Sequence, residues 1–248
     1  KKLSEQYGFA VIEDASHAIG GTYHGTCVGS CAFSDVTVFS FHPVKIITSA
    51  EGGMALTNDD ALAQRMRLFS SHGVTRDHQL YEQEILGPWY YEQIELGYNY
   101  RMTELSAALG LSQSNKIDAF VTCRNELAII YNAAFKDTSM RLPIIVDNNI
   151  KSSFHLYVAR LPASTTQTQH REFVDGLLAK GIGANLHYMP IYLQPYYRKL
   201  GFERVYCPEA EAYALTAISL PLHPSLTNED QQQVINAVFA SLEAVYDS

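Results

Sequence analysis

The stretch that decides the fold is Val38–Gly53, which reads VFSFHPVKIITSAEGG. It begins as an apolar strand, and Lys45 stands in the short loop that follows, among serine and threonine hydroxyls. The connection at 43–52 has no helical pattern, whereas a parallel crossover needs a dozen or more residues and usually a helix. The strand at 53–57 is therefore predicted to run antiparallel to the strand at 36–42.

A second apolar strand lies earlier in the chain, at residues 9–14, and ends in Glu13 and Asp14. Both strands are rich in Val, Ile and Phe, so both are predicted to be buried. An amine after one strand and a carboxylate at the end of another are the groups that a pyridoxal phosphate enzyme needs. The amine forms a Schiff base with the cofactor, and the carboxylate keeps the ring nitrogen protonated.

Composition indicates a folded protein and excludes several classes of partner. The chain has 248 residues, of which 47% are hydrophobic and 18% are charged, enough for a full core. Its net charge is −8 without a polybasic run, so neither nucleic acid nor an anionic membrane surface is an expected partner. No apolar stretch approaches the roughly 18 residues of a membrane span, and the first residues lack the apolar core of a signal peptide. Zinc spacing is absent around the cysteines, which are interpreted as free thiols of a reducing cytoplasm: Cys27, Cys31, Cys123 and Cys207.

Hydrophobic periodicity predicts a larger domain at 1–125 and a smaller α+β domain at 126–248. A long polar and aromatic loop occupies residues 74–100 of the first domain, and long loops are often functional. The helical region at 103–136 is predicted to begin its apolar face with Met102, Leu105 and Leu109. The other predicted elements are a helix from Asp60 to Gly73, strands at 155–161, 184–188 and 218–220, a helix at 170–180, and a last helix that starts with a capping box at Thr227.

Four motifs, in this order, resemble the DegT/DnrJ/EryC1/StrS family of sugar aminotransferases. They are EDASHA at 13–18, SFHPVK at 40–45 with EGG at 51–53, GYNYRM at 97–102, and the segment from Gly181 to Pro190. The resemblance covers essentially the whole chain. It implies an α/β fold of the fold-type I pyridoxal 5'-phosphate-dependent transferases, with an incomplete large domain of mostly parallel sheet and a smaller α+β domain. It also implies pyridoxal 5'-phosphate as the cofactor.

The resemblance assigns roles to individual residues. Lys45 takes the Schiff-base position, where some relatives carry histidine and dehydrate their substrates, so lysine indicates transamination. Asp14 takes the place of the ring-nitrogen partner, and Glu13 faces the opposite side of the strand because side chains alternate. The other implied contacts are to the cofactor at His17, Ser40 and Asn99, and to the substrate at His42, Arg101, His187 and Tyr188.

Several of these residues also have a purely structural interpretation, which the sequence leaves open. Asp14 and His17 could cap a helix, His42 could pack its loop, and Arg101 could belong to a turn. His187 and Tyr188 form an aromatic pair that is more often packing than ligand. The ring side chains of Trp89, Tyr90 and Tyr91 could stack on a nucleotide-sugar or anchor their loop.

The segments at 87–93 and 193–197 resemble most closely the subgroup that acts in pseudaminic acid biosynthesis. The implied reaction moves an amino group from L-glutamate to the C4 ketone of a UDP-linked 6-deoxy-N-acetylhexosamine, in the cytoplasm, in a homodimer with shared active sites. One alternative is a family enzyme that aminates another nucleotide-keto-sugar. Another is a catalytically incompetent fragment, because family members carry roughly a further half-domain before the position of Lys1. A smaller departure is Ala50, which stands where many members have glycine.

Overall fold

The computed structural model describes residues 1–145 and 147–246, which form two compact units. Unit 1 comprises residues 1–118 and 149–153, and unit 2 comprises the described residues of 119–148 and 154–248. Within the described part of the chain, no helix combines the length and the apolar content needed to cross a membrane.

Unit 1 is built around a three-stranded sheet. Its helices are α1 (Lys2–Tyr7), α2 (Asp60–Ser70) and α3 (Glu104–Ser114), and its strands are β1 (Ile12–Asp14), β2 (Thr22–Tyr23), β3 (Thr26–Cys27), β4 (Val36–Ser40), β5 (Gly53–Leu56), β6 (Val74–Thr75), β7 (Glu92–Gln93) and β8 (Ile150–Lys151). In the main sheet, β1 pairs in parallel with β4, and β4 pairs antiparallel with β5. The predicted antiparallel course of the strand after the Lys45 loop is thus confirmed.

The burial expected for the strand at 9–14 is wrong, because every one of its residues is exposed or only half-buried. Phe9 is 50% exposed and Ile12 is 72% exposed, whereas Phe39 in β4 is only 6% exposed. The difference arises from position, because β4 has a neighbour on each side and β1 is the last strand of the sheet within this chain. An apolar sequence indicates a strand but does not show which of its faces is covered.

The predicted helical region at 103–136 is helical, and it consists of two helices. α3 ends at Ser114, and α4 (Ile117–Phe135) begins after Asn115 and Lys116. The break follows a polar run in which the Ser114 hydroxyl donates to the carbonyl of Leu111 at 2.8 Å, a bond that competes with the helix. The predicted burial of Leu105 is also wrong, since its side chain is 86% exposed.

Unit 2 packs helices against a two-stranded antiparallel sheet. Its elements are the remainder of α4, β9 (Tyr157–Arg160), α5 (Gln167–Ala179), α6 (Pro195–Lys199), α7 (Pro208–Thr216), β10 (Ala217–Leu220) and α8 (Asn228–Tyr246). Large side chains at the centre of its core are fully buried, among them Tyr131, Phe135, Tyr157, Phe173 and Val238. The predicted capping box of α8 is present, because the Asp230 N–H donates to the Thr227 hydroxyl at 3.1 Å and the Thr227 N–H donates to the Asp230 carboxylate at 3.3 Å.

The strand predicted at 184–188 is wrong. Only Asn185 pairs, in an isolated antiparallel bridge to Ser219. The next N–H, that of Leu186, donates instead to the side-chain oxygen of Asn185 at 2.8 Å. A side chain that captures the following backbone donor prevents the ladder from continuing.

Candidate active site

The candidate site in unit 1 lies where β1 and β4 end. Asp14 is the last residue of β1 and lies opposite Val38 of β4, and the N–H of Ala15 donates to the Val38 carbonyl at 2.9 Å. Lys45 follows β4 in a turn closed by its own N–H, which donates to the His42 carbonyl at 2.9 Å. Because the two strands are parallel neighbours, their carboxyl ends bring the carboxylate and the amine to the same edge of the sheet.

The loop that carries Lys45 is held firmly at both ends. Ile46 and Ile47 are buried, at 4% and 3% exposure, so the residues after Lys45 anchor the loop in the core. The Phe41 carbonyl accepts from the Ser49 N–H and from the Thr48 hydroxyl, both at 3.0 Å. A loop with this many contacts presents the lysine amine in a defined place.

Asp14 is held in its ionised form by its own strand end. Both the hydroxyl and the N–H of Ser16 donate to Asp14 Oδ1, at 2.5 and 3.1 Å. These bonds, the hydroxyl bond first, lower the pKa of the Asp14 carboxyl below its ordinary value, with smaller contributions from the charges of His17 and Lys45. Within the described residues nothing donates to Oδ2, so one carboxylate oxygen is available to a ligand.

For the pKa of the Lys45 amine, burial has a larger effect than the neighbouring charge. Partial burial lowers the pKa of its amine, and the charge of Asp14 partly offsets this by favouring the ammonium form. The two groups therefore interact electrostatically, but they form no direct ion pair in the described part of the chain. An amine with a lowered pKa spends more of its time neutral, which is the form that reacts with aldehydes.

Three more predicted residues lie at or after the same two strand ends: His17 and Ser40 were predicted for the cofactor, and His42 for the substrate. His17 is three residues beyond Asp14 and contributes to its electrostatic environment. Ser40 ends β4 opposite Gly53, and its hydroxyl oxygen accepts the His42 N–H at 3.4 Å. His42 is exposed, and its Nδ1 accepts the N–H of Val44 at 3.4 Å.

Asn99 and Arg101 belong to a segment that is fixed to the end of α2. The N–H groups of Tyr98 and Tyr100 donate to the carbonyls of Phe69 and Ser70, at 2.7 and 3.0 Å. These carbonyls lie in the last helical turn, where no backbone partner is available within the helix. Asn99, between the two tyrosines, and Arg101 after them are both exposed.

His187 and Tyr188 lie in unit 2. The Nδ1 atom of His187 is 2.7 Å from the Ser219 hydroxyl, and the two rings meet edge to face with centroids 4.7 Å apart. The Tyr188 side chain is 61% exposed, so it is available to a ligand, whereas the His187 ring is tied to β10. Their predicted contact with a substrate stays a prediction.

Sequence reasoning missed three contributors to unit 1. Ser16 was inside a recognised motif but not identified as the donor that sets the charge of Asp14. His72 and Arg76 share a cavity with Arg101, although they precede it by more than twenty residues. The run SHGVTRD at 71–77, which places basic residues directly after a helix, was the available signal.

These residues fit pyridoxal 5'-phosphate. The observation that decides the fit is the pair of unsatisfied groups: one oxygen of an ionised carboxylate at the end of β1, and an amine with a lowered pKa in the loop after β4. Asp14 would hold the ring nitrogen, Lys45 would hold the aldehyde carbon, and Ser40 would offer a hydroxyl to the phosphate.

Comparison with known proteins agrees with this chemistry. The model of the DegT/DnrJ/EryC1/StrS aminotransferase family matches residues 1–239. A UDP-4-amino-4,6-dideoxy-N-acetyl-beta-L-altrosamine transaminase of Campylobacter jejuni is 35% identical over 243 residues, which are 98% of this chain and 61% of that protein. The spore coat polysaccharide biosynthesis protein SpsC of Bacillus subtilis is 34% identical over 95% of this chain and 60% of its own length.

Solved structures give the same result for the fold. Helicobacter pylori PseC, an aminotransferase involved in the biosynthesis of pseudoaminic acid, superposes with a TM-score of 0.87 at 34% identity, over 98% of this chain and 62% of its own. The PLP-form of the putative sugar aminotransferase Spr1654 from Streptococcus pneumoniae has a TM-score of 0.86 at 29% identity, over 99% of this chain and 61% of its own. The chain thus spans about three fifths of the length of these relatives, and the predicted fold-type I α/β architecture is confirmed.

Proposed function

Because the chain belongs to the DegT/DnrJ/EryC1/StrS aminotransferase family, we propose that it carries the reactive lysine of a pyridoxal 5'-phosphate-dependent sugar aminotransferase. The proposed substrate is a UDP-linked 4-keto-6-deoxy-N-acetylhexosamine, and the proposed amino donor is L-glutamate, which leaves as 2-oxoglutarate. One observation carries the proposal. Asp14 ends β1 and Lys45 follows the parallel neighbour β4, the charge of each favours the ionised form of the other, and one oxygen of Asp14 and the amine of Lys45 have no hydrogen-bond partner in the described chain.

Each residue has a defined task in this reaction. When bound, the cofactor supplies an electron sink for the carbanion formed at the reacting carbon. Asp14 stays ionised through its bonds to Ser16 and so favours a protonated ring nitrogen. Lys45 would move a proton as general base and general acid, and burial assists by favouring its neutral form. Ser40 and Asn99 would offer a hydroxyl and an amide to the cofactor phosphate.

Covalent trapping tests the assignment of Lys45. The purified protein is mixed with pyridoxal 5'-phosphate, reduced with borohydride and mapped by mass spectrometry. Before reduction we expect visible absorbance that is absent in Lys45→Ala and persists in Lys116→Ala, a variant of an exposed lysine of the same unit. After reduction we expect the pyridoxyl group on Lys45. Labelling spread evenly over surface lysines, or unchanged in Lys45→Ala, would refute the proposal.

A panel of UDP- and TDP-linked 4-keto and 3-keto sugars tests the substrate. The name of the Campylobacter jejuni relative supports a UDP-linked 4-amino product, which nuclear magnetic resonance identifies by the position of the new C–N bond. A 3-amino product, or turnover of only TDP-sugars, would favour the alternative of another nucleotide-keto-sugar.

The proposal includes a homodimer in which Asn99 and Arg101 serve the site of the second copy. Exposed leucines on α3 support a further surface for association, since Leu105 is 86% exposed and Leu111 is 70% exposed. Light scattering coupled to size-exclusion chromatography tests this. A dimer that becomes monomeric in Leu105→Glu fits the proposal, and a monomer at all accessible concentrations contradicts it.

A further inference from the structure

A cavity of about 620 Å³ lies in unit 1, and neither Asp14 nor Lys45 lines it. The side chains and backbone that line it come from Ser71, His72, Val74, Arg76, Tyr91 and Arg101. Two arginines and a histidine therefore line one space.

The backbone brings these distant residues together through two close approaches. β6 pairs with β7, with Thr75 opposite Glu92, and this places Arg76 beside Tyr91. The Arg76 guanidinium lies 5.7 Å from the centroid of the Tyr91 ring, a cation–π distance. On the other side, the N–H of His72 donates to the Tyr98 carbonyl at 2.8 Å, which draws the segment that ends in Arg101 against the cavity.

The charges of this cavity are not balanced by the described chain. No acidic side chain lines it, and within the described residues neither Arg76 nor Arg101 has a carboxylate at ion-pair distance. The neighbouring Glu92 is already occupied, because its oxygens accept the N–H groups of Glu82 and Gln83 and the Tyr90 hydroxyl, at 2.7 to 2.9 Å. In a chain with a net charge of −8, two unpaired guanidiniums in one cavity indicate a site for an external anion.

We propose that this cavity binds the diphosphate of the nucleotide-sugar that occupies the second copy's site in the proposed homodimer, with Arg76 and Arg101 as its two cationic contacts. This inference rests on the proposed function. A guanidinium binds phosphate oxygens in a bidentate manner, and two of them match an anion of charge −2 or more better than a single carboxylate. Tyr91, 53% exposed, offers a ring beside Arg76 for the attached nucleoside. The same cationic chemistry could bind the cofactor phosphate or glutamate, so the test separates these ligands.

Calorimetric titration of the full chain with UDP, uridine, L-glutamate and pyridoxal 5'-phosphate tests the proposal. We expect UDP to bind more tightly than uridine, and Arg76→Gln and Arg101→Gln each to weaken UDP binding about 10- to 100-fold, as for loss of a charge-assisted hydrogen bond. Uridine binding stays unchanged. Arg76→Lys keeps the positive charge but loses the bidentate geometry of the guanidinium, so it should retain part of the affinity for UDP.

Arg65→Gln is the matched control, since Arg65 is an exposed arginine of α2 that does not line the cavity. It should bind UDP like the wild type, and circular dichroism confirms that each variant folds. Equal binding of UDP by wild type and both cavity variants overturns the inference, as does equal binding of UDP and uridine by the wild type. Loss of cofactor or glutamate binding without loss of UDP binding reassigns the cavity to that ligand. Retained labelling of Lys45 in Arg76→Gln shows that such a failure leaves the proposed function intact.

Discussion

Replacing Arg124 by methionine should destabilise unit 2 by about 2–4 kcal/mol. Arg124 lies in α4 with only 5% of its surface exposed, and burial lowers its pKa below the ordinary value. Its Nη1 atom donates to the carbonyls of Leu222 at 2.8 Å and of Phe154 and His155 at 3.2 Å. The side chain thus joins three separate backbone segments, and methionine fills a similar volume without any donor.

The magnitude follows from counting donors and acceptors. Nη1 has two hydrogens for three carbonyls, so the contacts amount to about two charge-assisted bonds, each contributing roughly 1.5–3 kcal/mol. Against this, methionine removes a buried charge that lacks a carboxylate partner, and also the Nε donor, which is buried without an acceptor among the described residues. The offset of about 1–2 kcal/mol leaves the net loss stated above.

Guanidinium chloride unfolding, followed by circular dichroism, measures this loss. The control is Arg171→Met on α5, where the arginine is exposed and pairs with Asp175 at 3.5 Å, an arrangement that contributes less than about 1 kcal/mol. If the free energies of unfolding of Arg124→Met and Arg171→Met differed by less than about 0.5 kcal/mol at equal m-values, the hydrogen bonds to the three carbonyls would not stabilise the fold and the reasoning would be wrong.

Three further predictions follow from the geometry. Burial raises the pKa of Glu92, but hydrogen bonds from the Glu82 N–H, the Tyr90 hydroxyl and the Gln83 N–H outweigh it, so the pKa is lowered. The carboxylate therefore stabilises its loop above its unfolded pKa, and this stabilisation is lost as pH falls through the folded pKa. The fluorescence of the single tryptophan, which lies in the same loop, should show an acid transition that Glu92→Gln lacks. Gly73→Ala should disrupt the segment before Arg101, because the φ angle of Gly73 is +70° and a Cβ there would collide with the Glu95 carbonyl. Gly183→Ala is the control, since its Cβ would meet no atom within 4 Å. Hydrogen exchange at 94–100 should be faster in the first variant and unchanged in the second. Thr227→Ala should cost about 1 kcal/mol by removing the cap of α8, and an unchanged free energy of unfolding would contradict the capping role.

Local sequence rules were sufficient for the strands around Lys45. The loop after β4 was too short for a parallel crossover, which correctly required β5 to be antiparallel. Alternation along β1 separated its two carboxylates, and the structure agrees: Glu13 accepts the hydroxyls of Ser34 and Thr37 at 3.2 and 3.0 Å, and so is engaged elsewhere than Asp14. These inferences succeeded because each depends on neighbours in sequence.

Features that depend on distant neighbours could not be predicted. The amphipathic pattern around Leu105 indicates an apolar face but not whether this chain covers it. The cavity of Arg76 and Arg101 arises only because the backbone after α2 pairs with the segment at 98–100, and no periodicity reports such a pairing. The structural role of Arg124 was hidden for the same reason, since its three acceptors lie at least thirty residues away in the chain.

The lowered pKa of Lys45 has a practical consequence for handling the protein. At a given pH, Lys45 presents more neutral amine than an ordinary lysine. Isocyanic acid, which forms from the cyanate of aged urea solutions, reacts with neutral amines and converts them irreversibly to carbamyl groups. Folded protein kept in a low, non-denaturing concentration of urea would thus be modified at the residue on which the proposed chemistry depends, while its fold and its circular dichroism spectrum stayed normal. In denaturing urea this selectivity is lost, because the burial that lowers the pKa is lost with the fold. Keeping the folded protein free of urea, or with cofactor present to occupy the amine, avoids a preparation that is folded but inert.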